Sequence, residues 1–237
     1  MNILFEDNNL LIIDKPAGIS VHHGVGEDSG TLVDWFIDAY LKVKLLDWPD
    51  ATRPGIIHRI DKDTSGLLLL AKNPKTLEEF QNKFQNHEIK KTYLTLVLGP
   101  IKPEKGEIIT KISRSNRDFR LKRTSIFNMD ESAKTAISHY QLLNNYMLKS
   151  SVLCLLSVSI DTGRTHQIRT QMQYKGWPII GDEQYNNKIS KRISNELNLH
   201  RQFLHAHNLK FNYNNKDVEF TSELPSELFQ IIDQLKN

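Results

Sequence analysis

The segment that most strongly suggests chemistry is HRIDKDTSG at residues 58–66, which runs directly into the apolar stretch LLLLA at 67–71. Two carboxylates, Asp61 and Asp63, lie there among basic side chains and before what we predict to be a buried strand. A carboxylate kept ionised by neighbouring cations and partly shielded from water can act as a nucleophile or general base. Asp, Thr, Ser and Gly are also turn residues, so a loop that only feeds the strand is the alternative interpretation.

A second candidate is DTGRTHQIRTQM at residues 161–172. Thr162-Gly163 indicates a turn, and the helix predicted after it places His166 and Arg169 on one surface. Arginine carries a permanent charge and a fixed fork of donors, which suits it to binding a carboxylate or a phosphate. A solvated helix face is the alternative.

A third candidate is KKTYLTLVLG at residues 90–99, which alternates as a strand does. Tyr93 would share a face with Thr95 and Val97. Taken by itself, such a tyrosine is more typical of a core or cross-strand aromatic than of a catalytic group.

Basic charge is concentrated in residues 111–124. This segment has a net charge of +5, whereas the whole chain has only +3. Such clustering is typical of a nucleic-acid contact surface, although a solvated loop would look the same. The six cations of the segment are Lys111, Arg114, Arg117, Arg120, Lys122 and Arg123.

Composition excludes several classes of protein. The single cysteine, Cys154, allows neither an internal disulfide nor a cysteine-based metal cage, and its neighbours VLCLLSV predict a buried position. Glu6 and Asp7 lie where a signal peptide would be basic and then apolar, and no run approaches the roughly 20 apolar residues of a membrane span. We therefore expect a soluble cytoplasmic protein with no membrane partner.

The predicted elements favour an α+β fold with a mixed, mostly antiparallel central sheet flanked by helices and loops. Helical spacing indicates a helix that is capped by Thr31 or Ser29, and further helices over 75–90, over 165–175 up to Gly176, and after Pro225. Strands are expected at 2–5, 10–13, 66–72, 92–98, 133–143 and 152–160. No linker separates independent domains, so we expect a single domain over residues 1–237.

Taken together and in this order, the segments resemble the RluA family of RNA pseudouridine synthases. The similarity runs through most of the chain, and the segment at 58–73 is its most specific part. The segments that carry it are LLIIDKPAGISVHHG (10–24), HRIDKDTSGLLLLAKN (58–73), KKTYLTLVLG (90–99), TGRTHQIRTQM with GWPIIGDEQY (162–172 and 176–185) and FLHAHNLKF (203–211).

The resemblance implies that Asp61 is the catalytic aspartate, which attacks C1′ of a uridine in RNA or removes its C2′ proton. It also implies that Arg169 pairs with Asp61 and that Tyr93 packs against the target base and assists proton transfer at C5. The reaction needs no metal and no cofactor. The target base must leave its stack to be reached, and the arginine at the position of Arg59 can fill the gap.

Further RNA-binding residues follow from the resemblance. Ile168 and Leu204 are candidate pocket walls, and residues 111–124 match a variable region that folds over RNA. The full set of candidates for RNA contact is His58, Arg59, Arg164, His166, Ile168, Leu204, Arg117, Arg120, Lys122 and Arg123. The chain departs from the family at Ile60, where Leu is usual, and at Gln171 and Trp177, where His is frequent, which puts substrate contacts in doubt.

The partner is then ribosomal or transfer RNA, with no obligate protein partner and a monomeric protein. Many members of the family have a small N-terminal S4-type RNA-binding domain, which we do not expect in this protein, so the catalytic domain would bind RNA itself.

Two other functions stay open. Asp61-Lys62-Asp63 resembles the start of a magnesium-dependent phosphatase motif, but there the apolar strand precedes the first aspartate. A non-catalytic RNA-binding or assembly factor is the second alternative.

Overall fold

A computed structural model describes residues 1–24, 29–115, 121–126 and 132–236. Their elements establish the α+β class that the sequence predicts. The strands are β1 (Asn2–Glu6), β2 (Leu10–Lys15), β3 (Ser65–Ala71), β4 (Lys90–Leu98), β5 (Lys105–Arg114), β6 (Lys122–Ser125), β7 (Lys134–Leu148), β8 (Ser151–Ile160), β9 (Leu204–Tyr213) and β10 (Lys216–Thr221). The helices are α1 (Leu32–Ala39), α2 (Leu41–Lys44), α3 (Pro74–Gln85), α4 (Gln167–Tyr174), α5 (Lys188–Glu196) and α6 (Ser226–Gln234).

The chain forms two compact units, and the first contains Met1–Ile89 and Ala206–Glu223. Its strands follow the order β1-β2-β3-β9, with β10 on β9. The four apolar residues at 10–13 and the four leucines at 67–70 are fully buried, on both faces of their strands. Strand β3, which follows the Asp61 segment, is therefore a fixed support for it.

The second unit contains Lys90–His205 and Leu224–Asn237, with strand order β4-β8-β7-β5-β6. Helix α4 is attached to this sheet by Gln171, whose side-chain amide donates to the carbonyls of Ile108 and Ala136. Its amide oxygen accepts from the hydroxyl of Ser138 at 2.6 Å. A departure from the family at Gln171 thus serves to position the helix that carries Arg169.

Several helix boundaries confirm the sequence predictions. Thr31 caps α1 in a reciprocal pair with Asp34, and Gly176, with a φ of +79°, follows the end of α4. Six elements were not predicted from the sequence, namely β5, β6, β9, β10, α2 and α5. A single undivided domain stays a prediction. No helix among the described residues is both long enough and apolar enough to cross a bilayer.

Gly66, at the start of β3, has a φ of +111°, and an added Cβ would lie 2.7 Å from the amide nitrogen of Ala206. We expect Gly66→Ala to lower the free energy of unfolding by about 3 kcal/mol or more, because backbone strain and a clash with rigid backbone combine. Gly18→Ala is the matched control, since Gly18 also has a positive φ but faces open space, and about 1 kcal/mol is expected there. Urea unfolding measures both, and equal losses would contradict the clash.

Candidate active site

Asp61 lies on the loop that enters β3, and its side chain is partly buried. The backbone of this loop is held at two neighbouring points. The carbonyl of Asp61 accepts the N–H of Thr64 at 3.1 Å, and the carbonyl of Lys62 accepts the N–H of Gly18 at 3.0 Å. The segment therefore forms a turn, and this turn restricts the directions in which the Asp61 carboxylate can point.

Lys15 is the strongest anchor of this loop. Its side chain is 0% exposed, and its ammonium donates to the carbonyls of Pro16, Ile19 and Lys62 at 2.7–2.9 Å. A buried ammonium needs acceptors for its three donors, and these three supply them. The charge of Lys15 thus ties the loop after β2 to the residue next to Asp61.

His58 and Arg59 precede Asp61 and have different environments. The Nε2 of His58 accepts the N–H of Leu69 at 3.1 Å, and its ring lies 4.5 Å from the ring of Phe84. Arg59 is exposed, and its guanidinium donates to Nε2 of His22 at 2.7 Å. His58 is therefore a structural support, whereas Arg59 faces solvent beside a histidine.

Arg169, in the second unit, forms a buried ion pair with Asp182. The Nε and Nη2 groups of Arg169 donate to the two carboxylate oxygens at 2.7 and 3.0 Å, and the two side chains are 6% and 0% exposed. Burial alone would raise the pKa of Asp182, but the hydrogen bonds and charge of Arg169 outweigh it and hold that pKa below its usual range. The solvated-helix interpretation of Arg169 is wrong.

Tyr185 connects Arg169 to the basic segment. Its ring lies 5.0 Å from the Arg169 guanidinium, within the range of a cation–π contact. Its hydroxyl accepts the N–H of Lys122 at 2.7 Å and lies 2.8 Å from Nδ1 of His166. His166, with a φ of +56°, directly precedes α4. Tyr185 thus contacts two of the predicted RNA-binding residues of this unit, Lys122 and His166.

The other predicted residues of the second unit have these positions. Tyr93 lies in β4 opposite Val158 and is 7% exposed, while Ile168 and Leu204 are each 4% exposed. Arg164 is exposed, and its Nε donates to the carbonyl of Thr135 at 3.0 Å. Their assignment as contacts for base or RNA stays a prediction.

The described parts of the basic segment lie at the end of β5 and at the start of β6. Residues at the end of β5 pair with β6, and in this register Arg114 lies opposite Lys122 and Ser113 opposite Arg123. Like charges directly opposite each other destabilise a sheet unless an anion screens them. Two further candidates, Arg117 and Arg120, lie outside the described residues.

The predicted catalytic residues are thus divided between the two units. Asp61, Arg59 and His58 belong to the first, and Tyr93 and Arg169 to the second. The pairing of Arg169 with Asp61 that the resemblance implies stays a prediction.

The comparisons with known proteins agree with this arrangement of motifs. Residues 9–174, which include Asp61, Tyr93 and Arg169, match the family model described as RNA pseudouridylate synthase. The chain belongs to the RluA family of RNA pseudouridine synthases. These enzymes are isomerases.

Individual relatives span nearly the whole chain. An uncharacterized RNA pseudouridine synthase, YlyB, of Bacillus subtilis is 34% identical over 238 residues, covering 100% of this chain and 73% of the relative. Ribosomal large subunit pseudouridine synthase D of Zymomonas mobilis is 34% identical, and the match covers 96% of this chain and 70% of the relative. Ribosomal large subunit pseudouridine synthase D of Borreliella burgdorferi is also 34% identical, and the match covers 94% of this chain and 65% of the relative.

A solved structure of human RNA pseudouridylate synthase domain containing 4 shares the fold, with a TM-score of 0.75 and 24% sequence identity. The superposition covers 99% of this chain and 93% of the human one.

Sequence reasoning missed three residues of the site. Asp182 and Tyr185 lie in GWPIIGDEQY, which carries part of the resemblance but was given no role in positioning. Lys15 lies in the segment at 10–24, which also carries part of the resemblance, and it was given no role. A charged residue in an otherwise apolar stretch was the available signal for Lys15, whereas Asp182 follows a glycine and looks like a turn residue.

Asp182→Asn removes the charge that compensates Arg169, so we expect the free energy of unfolding to fall by about 3–5 kcal/mol. The wild type should lose stability as pH falls below about 4, because the folded state, with the lowered pKa of Asp182, binds fewer protons than the unfolded chain. That part of the pH dependence should be absent from the variant.

Urea unfolding of both proteins between about pH 3 and pH 7 checks this prediction. Asp38→Asn, at an exposed position of α1, is the control. Equal stabilities for the two variants would show that the buried pair is not held as described.

Proposed function

We propose that this protein isomerises uridine in large-subunit ribosomal RNA to pseudouridine, with Asp61 as the reacting carboxylate. The family match across residues 9–174 carries this proposal, because it includes the segment that holds Asp61. Relatives named ribosomal large subunit pseudouridine synthase C and D support the choice of RNA.

The reaction conserves all atoms of the nucleotide. The N1–C1′ bond of uridine breaks, the base turns, and C5 forms the new bond to C1′, which frees Asp61 from C1′ or is accompanied by return of the C2′ proton. C5 then loses its proton and N1 gains one. Asp61 either attacks C1′ or removes the C2′ proton, and both roles need an ionised carboxylate aimed at the sugar. The hydrogen bonds that fix the backbone at Asp61 and Lys62 support such a fixed direction.

Arg169 and Tyr93 would assist from the second unit. Asp182 fixes the Arg169 guanidinium through two hydrogen bonds, and a third links it to Gln184 at 2.9 Å. Because its side chain is already fixed, Arg169 would lose little further side-chain entropy when it interacts with the charge of a bound substrate. Tyr93 would pack against the turning base.

RNA binding would rest partly on the basic strand ends. Arg114 lies opposite Lys122 in the β5–β6 ladder, and a phosphate between them would relieve the repulsion of the two charges. Arg114 thus joins Lys122 and Arg123 as a candidate for phosphate contact.

We expect Asp61→Asn to abolish pseudouridine formation, with a loss of at least about a thousandfold, while RNA binding is retained. The protein is incubated, with a chelator present, with unmodified ribosomal and transfer RNA transcripts that carry tritium at uridine C5. Isomerisation releases that tritium to water. Asp63→Asn is the matched control, because it removes a carboxylate two residues away and leaves Asp61 in place.

The outcomes separate the alternatives. Release from ribosomal transcripts in the presence of chelator excludes a magnesium-dependent activity. Release from transfer RNA alone would overturn the choice of substrate. Binding without release, from transcripts and from unmodified large subunits, would indicate the non-catalytic RNA-binding factor.

Replacing Lys122 and Arg123 together by Gln should weaken RNA binding and reduce the slope of log K against log salt by about 1.4, since each lost phosphate contact contributes about 0.7. A filter-binding titration over salt concentration measures the slope. Gln at Lys188 and Lys191, two exposed positions of α5, is the charge-matched control. An unchanged slope would remove the basic strand ends from the RNA contact.

A further inference from the structure

The first unit contains a cavity of about 280 Å³ next to the Asp61 loop. The chain leading to Asp61 forms one side of it, and helix α3 contributes another. Its principal lining residues are His22, Arg53, Ile56, Ile57, Arg59 and Leu77. The proposed reaction, as described above, does not use this cavity.

One wall of the cavity is basic, since it contains Arg53 and Arg59, and the hydrogen-bond partner of Arg59 is uncharged. Arg59 donates to Nε2 of His22 at 2.7 Å, and Nδ1 of His22 lies 2.7 Å from the carbonyl of His23. Since Nε2 accepts from a cation, the proton of His22 is on Nδ1 and the ring is neutral.

Burial lowers the pKa of His22. The carbonyl of His23 and the charge of Asp50 oppose this change, and the charges of Arg59 and Arg53 reinforce it. Within the described part of the chain, Arg59 therefore has no anionic partner.

The second cation of the wall is only loosely paired. The closest approach of Arg53 to the carboxylate of Asp50 is 3.8 Å, and both side chains are about half exposed. One oxygen of Asp50 already accepts the N–H and the hydroxyl of Thr52, at 2.9 and 2.6 Å. The wall thus has two guanidinium groups and one carboxylate, of which one oxygen is engaged by Thr52, and this excess of positive charge favours an anionic ligand.

The other side of the cavity is apolar. Ile56, Ile57 and Leu77 are 4–8% exposed and offer a surface of aliphatic carbon. A phosphate alone would use only the basic wall, whereas a nucleotide would use both walls. The volume is near the lower end of small-molecule sites, about 300 Å³.

We propose that this cavity binds one nucleotide of the RNA adjacent to the target uridine, with its phosphate on Arg53 and its base against the isoleucines. This inference rests on the proposed function. Arg59 and Asp61 are two positions apart, which limits the distance between their Cα atoms to about 7 Å. A nucleotide in this cavity, which Arg59 lines, is therefore close to the one on which Asp61 acts, and His22 and Arg53 become residues that select and position the substrate.

Nucleotide binding is tested directly by NMR of the full-length protein labelled at isoleucine methyl groups. Each of the four nucleoside 5′-monophosphates should shift the methyl signals of Ile56 and Ile57, and Arg53→Gln should abolish the shift. Arg192→Gln, an exposed arginine of α5, should leave it intact. No shift at about 10 mM nucleotide, a concentration that detects even weak contacts, would overturn the proposal. An equal shift with inorganic phosphate alone would overturn the role of the base.

Kinetics with tritiated ribosomal transcript then identifies the source of the nucleotide. Arg53→Gln should raise KM about tenfold, the effect of one charge-assisted hydrogen bond, with a smaller change in kcat, and Arg53→Lys should restore part of it. Turnover by the wild type with an unchanged KM in Arg53→Gln would refute the inference and leave the proposed function intact. No turnover by the wild type, with methyl shifts present, would refute the proposed function and with it the assignment of the nucleotide to RNA.

Discussion

The buried charge of Arg169 constrains the second unit more than any other feature. Moving an ion of this size out of water costs several kcal/mol even after relaxation, so the charge needs a partner of fixed geometry. Asp182 supplies it with two oxygens, and the backbone N–H groups of Gln184 and Tyr185 hold that carboxylate in turn. The hydroxyl of Tyr185 also accepts the N–H of Lys122. The contacts of Arg169 therefore link helix α4 to the turn at 181–185 and, through Tyr185, to the start of β6.

Lys15 is the corresponding buried charge of the first unit, since fixed oxygen acceptors hold it as well. The cations of this protein are therefore of two kinds. Lys15 and Arg169 are buried and meet oxygen acceptors at 2.7–3.0 Å, so their charges serve the fold. Arg59 meets a neutral histidine, and Arg114 lies opposite another cation. Their charges bring the fold little or no stabilisation, which is what we expect of side chains whose anion comes from RNA.

The sequence predicted the framework of the site better than its internal contacts. Apolar runs such as 67–70 and caps such as Thr31 and Gly176 depend on local pattern, so they were found from the chain alone. The partners of Arg169 and Lys15 depend on residues 13 and up to 47 positions away, and no local pattern specifies which acceptor a cation will meet. The strand β5 was missed for a related reason. Its alternating polar residues look like a solvated segment until β7 pairs with it along eight positions.

The placement of two cations opposite each other has an energetic consequence for RNA binding. In the free protein Arg114 and Lys122 lie opposite each other in the β5–β6 ladder, and like charges at such positions repel each other. Binding of a phosphate at this pair would offset that repulsion, so the observed affinity would include this relief as well as the new contacts. A substitution that neutralises such a cation should therefore weaken RNA binding while it leaves the free protein as stable or makes it more stable. Substitution of Asp182 should have the opposite effect on stability, because its charge has its partner inside the fold.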